Sequence, residues 1–413
     1  MSEAPAPPPA SPLRNGPFLA LLLYRICAGL SYQVVAVTVG WHIYTLTRDP
    51  FALGLVGLAE ILPYFCVAPF AGYLVDHLRR RTLGAVAGLG LMATAAALAL
   101  IAHTDVGTHA TWPIYAAIAV TGMVRAFLTP VYNALFARVL PRDQFVRGAS
   151  LGSVVFQASL VLGPALGGVL VGWAGVANAY AVAAAFGLAA AAAVYRLRVT
   201  EPPVLLQRAP VFASIREGLR FVFGNQIMLG AMALDMFSVL LGGAVSMLPA
   251  FIRDILHWGP EGLGILRAMP ATGSICVALW LARHPLQKHA GRVLLWAVAG
   301  FGLCTIAFGL SRHFWLSAAI LVLYGMCDGV SVVMRSTILQ LATPDEMRGR
   351  VSSINGIFIG SSNELGAFYD GTMARLLGLV PAVVLGGFVT LAVVAVTALR
   401  APKLRRLDLR DLQ

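Results

Sequence analysis

The chain has 413 residues, of which 59% are hydrophobic and 12% charged, with a mean hydropathy of +0.80. Soluble domains carry roughly a quarter charged residues, so a water-soluble globule is excluded. A formal net charge of +12 invites a nucleic-acid partner. The basic residues, however, are scattered over alternate loops instead of gathered in one patch, and no nucleic-acid partner is expected.

Residues 1–16 are Pro/Ala-rich and polar, without the basic-then-apolar order of a cleavable signal, and read as a cytoplasmic N-terminal tail. Apolar runs long enough to cross a bilayer, about 20 residues each, follow at 17–46, 52–75, 83–103, 112–137, 148–172 and 178–197. After a polar interruption they resume at 227–255, 260–282, 293–311, 314–342, 350–378 and 379–399. Twelve helices are therefore expected: an N-terminal six-helix bundle at 17–197, a cytoplasmic linker at 198–226, a C-terminal six-helix bundle at 227–399 and a basic cytoplasmic tail at 400–413. Within the linker, Phe212, Ile215, Leu219 and Val222 recur at helical spacing while Arg216, Glu217 and Arg220 take the other face. That pattern predicts a short amphipathic helix lying on the membrane surface.

Charge sets the expected orientation. Of 30 Lys and Arg residues, 22 fall on one side: Arg14, Arg79–81, Arg138, Arg142, Arg147, Arg196, Arg198, Arg208, Arg216, Arg220, Arg283, Lys288, Arg292, Arg348, Arg350, Arg400, Lys403, Arg405, Arg406 and Arg410. Arg48, Arg253, Arg267, Arg312 and Arg375 are assigned to the other side, and Arg25, Arg125 and Arg335 to span interiors. The positive-inside rule then places both termini in the cytoplasm, with an even number of crossings in a bacterial plasma (inner) membrane. Trp41, Trp112, Trp173, Trp258 and Trp315 fall at expected outer ends and Trp280 and Trp296 at inner ends, as interfacial belts require.

Residues 122–168 can be laid over 325–371 at a constant offset of 203, with nine identities in 47 positions. Gly122 meets Gly325, Met123 Met326, Pro141 Pro344, Arg147 Arg350, Ser150 Ser353, Ser159 Ser362, Leu162 Leu365, Gly163 Gly366 and Gly168 Gly371. An internal repeat of this period, half the chain, is typical of secondary transporters, whose substrate site lies near the bilayer midplane between the repeats.

The absences narrow the energy source. Only Lys288 and Lys403 are lysines and neither follows a glycine, so no phosphate-binding Walker loop exists and the chain is not its own ATPase. The eight histidines lie in loops or at span ends, and the five cysteines (Cys27, Cys66, Cys276, Cys304, Cys327) sit singly within spans, so neither a metal nor a cofactor is expected. Transport is driven by an ion gradient or is passive.

Two motifs carry a family resemblance. Gly72-Tyr-Leu-Val-Asp76-His-Leu-Arg79-Arg80-Arg81 closes the second span. It resembles the major facilitator superfamily loop signature G-x-x-x-D-(R/K)-x-G-(R/K)-(R/K), with His77 and Arg79 departing from it. The resemblance implies that Asp76 meets the start of the eleventh helix, near 350–353, and closes the cytoplasmic side. In the fifth span Gly163-Pro164-Ala-Leu-Gly167-Gly168 is similar to the end of the motif common in export-direction members, a bent and tightly packed helix. Arg125-Ala-Phe, Val155-Phe-Gln157, Asp328 and the run 342–355 further resemble the enterobactin-exporter-like branch, the transmembrane secretion effectors.

Charges inside a membrane cost at least a few kcal/mol and point to function. The resemblance implies that the first, fourth, seventh and tenth helices line a cavity; they carry Arg25, Arg125, Asp235, Asp328 and Arg335. Asp328 holds the repeat position of Arg125, so the two are expected at matching depth, binding substrate or pairing across the pseudo-two-fold axis. Glu60 on the second span, with Asn363, Glu364 and Asp370 on the eleventh, complete the candidates, a buried carboxylate being a natural proton carrier. The plainer alternative is that each acid pairs structurally with an arginine.

These features together imply a monomeric permease working by alternating access, with membrane lipid around it, a small-molecule substrate and protons as the coupling ion. The expected function is efflux of a siderophore- or drug-like compound. Import of a small solute, a membrane-embedded enzyme and a non-transporting sensor remain the alternatives.

Overall fold

A computed structural model describes residues 12–104, 110–141, 144–197, 199, 211–284, 288–344 and 347–409, with side chains throughout except at 76, 146, 211–215, 348–350, 352 and 353. Among the described residues all regular structure is helical. The first six spans are Gly16–Thr47, Pro50–His77, Arg80–His103, Trp112–Val139, Phe145–Ala174 and Val176–Tyr195. Spans eight to twelve are Pro260–Arg283, Ala290–Leu310, Phe314–Ala342, Arg348–Leu377 and Leu379–Arg400. Local chemistry marks several starts: Asn15 and Asp49 accept the Phe18 and Phe51 backbone N–H groups, and a proline occupies the first turn behind each.

The expectation of one continuous seventh helix at 227–255 is corrected. The span is broken into Gln226–Gly242, a 3-10 turn at Val245–Met247 and Leu248–Asp254. Tandem Gly242-Gly243 weakens the helix, and Pro249 supplies no N–H in the first turn of the second half. Hydropathy stays high across the break, so the run reads as unbroken.

Among the described residues eleven spans are long and apolar enough to cross a membrane, the broken seventh counted as one. Arg348–Leu377 falls short on hydropathy because it carries serines, asparagines and charged residues among its apolar ones; it lies between the second span and the first half of the seventh.

The 203 offset is expressed in the packing. Gly122 on the fourth span touches the Glu60 backbone on the second, and Gly325 on the tenth touches the Pro270 backbone on the eighth. Gly175 (φ 85°) alone joins spans five and six, and Gly378 (φ 90°) alone joins spans eleven and twelve. A positive φ of this kind favours glycine, so both repeat copies turn by the same device. Ser159 and Ser362, both buried, each donate to the carbonyl three residues back, at 2.7 and 3.0 Å. In lipid, helices gain little from apolar burial and associate through close packing of small residues. Accordingly spans three and six cross where Gly88 meets Ala191 and Gly187 meets Met92.

The linker helix is Val211–Gly224, docked by its buried Val222 against Met228, Leu339, Val351 and Ile354 of the second bundle. Phe212 and Ile215 lie outside the described side chains. The basic tail at 400–413 is docked over its described part: Ala401, Leu404, Leu407 and Leu409 are buried against the seventh and ninth spans.

Candidate translocation site

The two bundles meet along spans two and eleven and along spans five and eight. We call the face bearing Pro12 and Leu409, the ends of the described residues, the terminal face and its opposite the far face. A Cβ on Gly168 would lie 2.5 Å from the Gly264 Cα, and one on Gly371 would lie 3.0 Å from the Gly54 Cα. Gly168 and Gly371 are repeat partners, so the far face is shut by two equivalent glycine crossings. Around them the Tyr44 hydroxyl donates to Asp254, Arg48 stands 3.9 Å from Asp254, and Arg375 stands 3.5 Å from Asp49. Arg48 and Arg375 are exposed, so these pairs are worth well under the glycine crossings, about 0.2–1 kcal/mol each.

Towards the terminal face the same surfaces part. On the eleventh span Gly371, Ala367 and Glu364 touch Gly54 and Gly57 of the second, while Gly360 and Gly356, continuing that stripe, have nothing within 4 Å of an added Cβ. Gly72, four turns beyond Gly57, is equally bare. The structure is closed at the far face and open to the terminal face.

Beneath the far-face closure sits a charged cluster. The Arg125 Nη1 of the fourth span donates to the Tyr32 hydroxyl at 2.9 Å, to Glu60 and to Glu364 Oε1 at 2.8 Å. Tyr32 also donates to Glu60 Oε1 at 2.8 Å, and the Tyr32 and Tyr64 rings lie 5.1 and 5.4 Å from the guanidinium. Arg267 of the eighth span donates to the Ala36 carbonyl at 3.5 Å and lies within electrostatic reach of both glutamates. Two carboxylates and two guanidinia thus balance at the seam, and Arg125–Glu364 is an ion pair between the bundles.

The other expected residues fall elsewhere. Arg125 and Asp328 do not pair: each bundle crosses its own helices side by side, which puts Glu60 nearer to Arg125 than its repeat counterpart. Asp328 shares a small pocket inside the second bundle with Asp235, Ser238 and Ser331, and Asp235 is ion-paired with Arg335. Arg25 has no acidic partner among the described residues; its guanidinium stacks 3.9 Å from the Tyr132 ring and 5.1 Å from that of Phe156. Asn363 is exposed and donates to its own helix at Ile359, outside the cluster. Asp370 accepts from Ser246 at 2.7 Å and so ties the eleventh span to the break in the seventh.

Of the loop motif, Arg80 donates to the Val75 carbonyl at 3.3 Å and Arg81 to the Leu197 carbonyl at 3.4 Å, while Arg79 is the extended residue just before the third span. The Asp76 side chain, and those at 348–350, 352 and 353, lie outside the described residues. In the fifth span the helix continues through Pro164; Gly163 packs on Gln33, Gly167 on Val34, and Gly168 on Gly264. The motif therefore serves the first span on one side and the other bundle on the second.

Sequence reasoning missed three participants. Arg267 is corrected from a far-side loop to the interior of the eighth span, two turns past Pro260, a depth readable from the predicted boundary itself. Tyr32 and Asp254 carried no signal, since a tyrosine or an end-of-span aspartate is unexceptional in isolation.

Two six-span bundles related by an internal repeat, closed over a charged seam at one face and parted at the other, define a secondary transporter, not an enzyme. The Major Facilitator Superfamily profile matches residues 21–367, and the chain belongs to that superfamily. It is 25% identical to the multidrug efflux pump Tap of Mycolicibacterium fortuitum over 410 residues, covering 96% of this chain and 98% of that one. It is likewise 25% identical to the enterobactin exporter EntS of Escherichia coli O1:K1 / APEC over 402 residues, covering 94% and 92%. The fold matches that of a D-xylose-proton symporter with a TM-score of 0.71 at 13% identity, covering 95% of this chain and 99% of that one.

Proposed function

We propose that this transporter exports a small organic molecule in exchange for protons, with Glu364 as the proton carrier and Arg125 as its electrostatic partner. The observation that carries the reading is the Arg125–Glu364 pair, because it is both titratable and the ionic link between the bundles. Protonating Glu364 removes the charge that holds Arg125 and weakens the seam under the far-face closure. Deprotonation of Glu364 towards the terminal face leaves its carboxylate open to a hydrogen-bond-donating or cationic group of a substrate entering from that side, beside Tyr32 and Tyr64. Once the bundles have rocked, a proton arriving from the far side takes the carboxylate and displaces the substrate there. Proton and substrate thereby compete for one group, which is the requirement for exchange.

The terminal face is the cytoplasmic one on this reading, since it carries most of the basic residues. The export direction draws on the two relatives, one named an efflux pump and the other an exporter, and proton coupling on the symporter of like fold. A proton moving down one pH unit and 100 mV releases about 1.4 and 2.3 kcal/mol respectively, enough for a roughly several-hundredfold gradient of a neutral solute.

In everted membrane vesicles from an efflux-deficient host, the wild type is expected to accumulate a substrate found by compound screening only while a pH gradient persists. Glu364→Gln is expected to bind that substrate yet lose gradient-driven accumulation and its pH dependence. Unchanged accumulation by Glu364→Gln would remove Glu364 from the coupling mechanism, and accumulation indifferent to the gradient would remove the proton.

A further inference from the structure

The segment after the twelfth span forms a groove at the terminal face that the transport cycle does not use. Residues 401–409 fold back as a strap with a single helical turn at Pro402–Arg405. The Gly291 N–H donates to the Leu407 carbonyl at 3.3 Å, and the His289 backbone N–H donates to the Asp408 carboxylate. Gly291 has no space for a side chain because the Leu404 carbonyl fills it. These contacts fix the strap across the start of the ninth span.

Docking the strap brings Arg405 and Arg406 beside Arg292. All three are exposed, and none makes an ion pair among the described residues; Asp408, the acid on the strap, is committed to His289. Among the described residues no acid is paired with these three guanidinia, which repel one another, so the strap's docked position favours a bound anion. The arginines rim a groove of about 580 Å³, whose inner wall, including Val394 and Ala398, is apolar and continues along spans nine and twelve. A volume in this range holds a ligand of drug-like size. Trp296, 77% exposed, stands at the rim at the depth expected of an interfacial aromatic. A free phosphate would use the guanidinia alone, whereas a phospholipid uses the arginines, the tryptophan and the apolar wall together.

We infer that this groove binds an anionic phospholipid, its phosphate held by Arg292, Arg405 and Arg406 and an acyl chain laid against Val394 and Ala398, and that the lipid clamps the strap to the second bundle. Basic pockets between helices at the cytoplasmic side suit such headgroups, each arginine adding to affinity. The site is independent of which solute is moved and in which direction.

The test uses the full-length protein in an uncharged detergent, followed by thermal unfolding and by native mass spectrometry with phosphatidylglycerol, cardiolipin, phosphatidylcholine or inorganic phosphate. Phosphatidylglycerol or cardiolipin is expected to raise Tm by a few degrees and to remain as a discrete adduct, with phosphatidylcholine and phosphate doing neither. The triple variant Arg292→Gln, Arg405→Gln, Arg406→Gln should weaken that response at least about tenfold, and Arg312→Gln at the far face should leave it intact. Ala398→Trp, which fills the groove but keeps every charge, should also abolish the adduct. Equal stabilisation by phosphatidylcholine, stabilisation by phosphate, or an undiminished response in both groove variants would overturn the assignment.

Discussion

Replacing Gly168 and Gly371 together by leucine is expected to abolish transport in a protein that still folds and inserts. An added Cβ alone would stand 2.5 Å from Gly264 at the first site and 3.0 Å from Gly54 at the second, and backbone cannot yield as a flexible side chain does. Overpacking of this kind costs typically 1–3 kcal/mol per site. The cost falls only on the far-face-closed arrangement, because the crossings do not exist once the bundles rock apart. Two wedges therefore approach the about 5.5 kcal/mol that turns a 99:1 equilibrium into its reverse. Each single leucine is expected to shift the equilibrium by about 10- to 100-fold. The measurement is alkylation, from the far side, of a cysteine placed at Ala36 in a background freed of native cysteines. The double variant should react much faster than the wild type; equal reactivity would show that the glycine crossings are not the closure.

Removal of Arg125 is the second large effect. Glu60 is 7% exposed, and Arg125→Ala would leave it and Glu364 as facing carboxylates with Arg267 as their nearest remaining cation. Breaking a buried ion pair by deleting one partner costs about 3–5 kcal/mol. The expected outcome is a large loss of thermal stability and no transport. Adding Glu364→Gln to Arg125→Ala should restore most of the lost stability, because the uncompensated charge is gone, while transport stays absent. A double variant no more stable than Arg125→Ala would contradict the placement of Glu364 as the partner across the seam.

Much of this architecture was readable from the sequence, and the misses have physical causes. Long apolar runs gave the spans, and the 203 offset gave the eleventh helix its place even though its polar residues depress its hydropathy. The same offset anticipated that Gly168 and Gly371 are equivalent, but not that they touch the opposite bundle; a glycine repeated at one period marks a close approach without naming what approaches. The break in the seventh span was hidden because Gly242 and Gly243 sit in an apolar run that hydropathy cannot resolve. Charges inside spans drew attention to Arg125, Glu60 and Glu364, which the structure brings together, whereas the repeat suggested Asp328 as the facing group. Depth along the membrane is encoded in the sequence, whereas rotation about each helix axis is set by neighbours, and it turns Asp328 into its own bundle towards Asp235 and Ser238.

The central claim is that two rigid bundles rock about the Arg125–Glu364 seam, and paired distance measurements test it most directly. Spin labels at Tyr73 and Ile357 report the terminal-face ends of spans two and eleven, and labels at Thr45 and His257 report the far face; all four positions are exposed. Acidification, or Glu364→Gln in its place, is predicted to shift populations so that the Tyr73–Ile357 distance shortens as the Thr45–His257 distance lengthens. Distances that stay fixed, or that lengthen and shorten together, would contradict it.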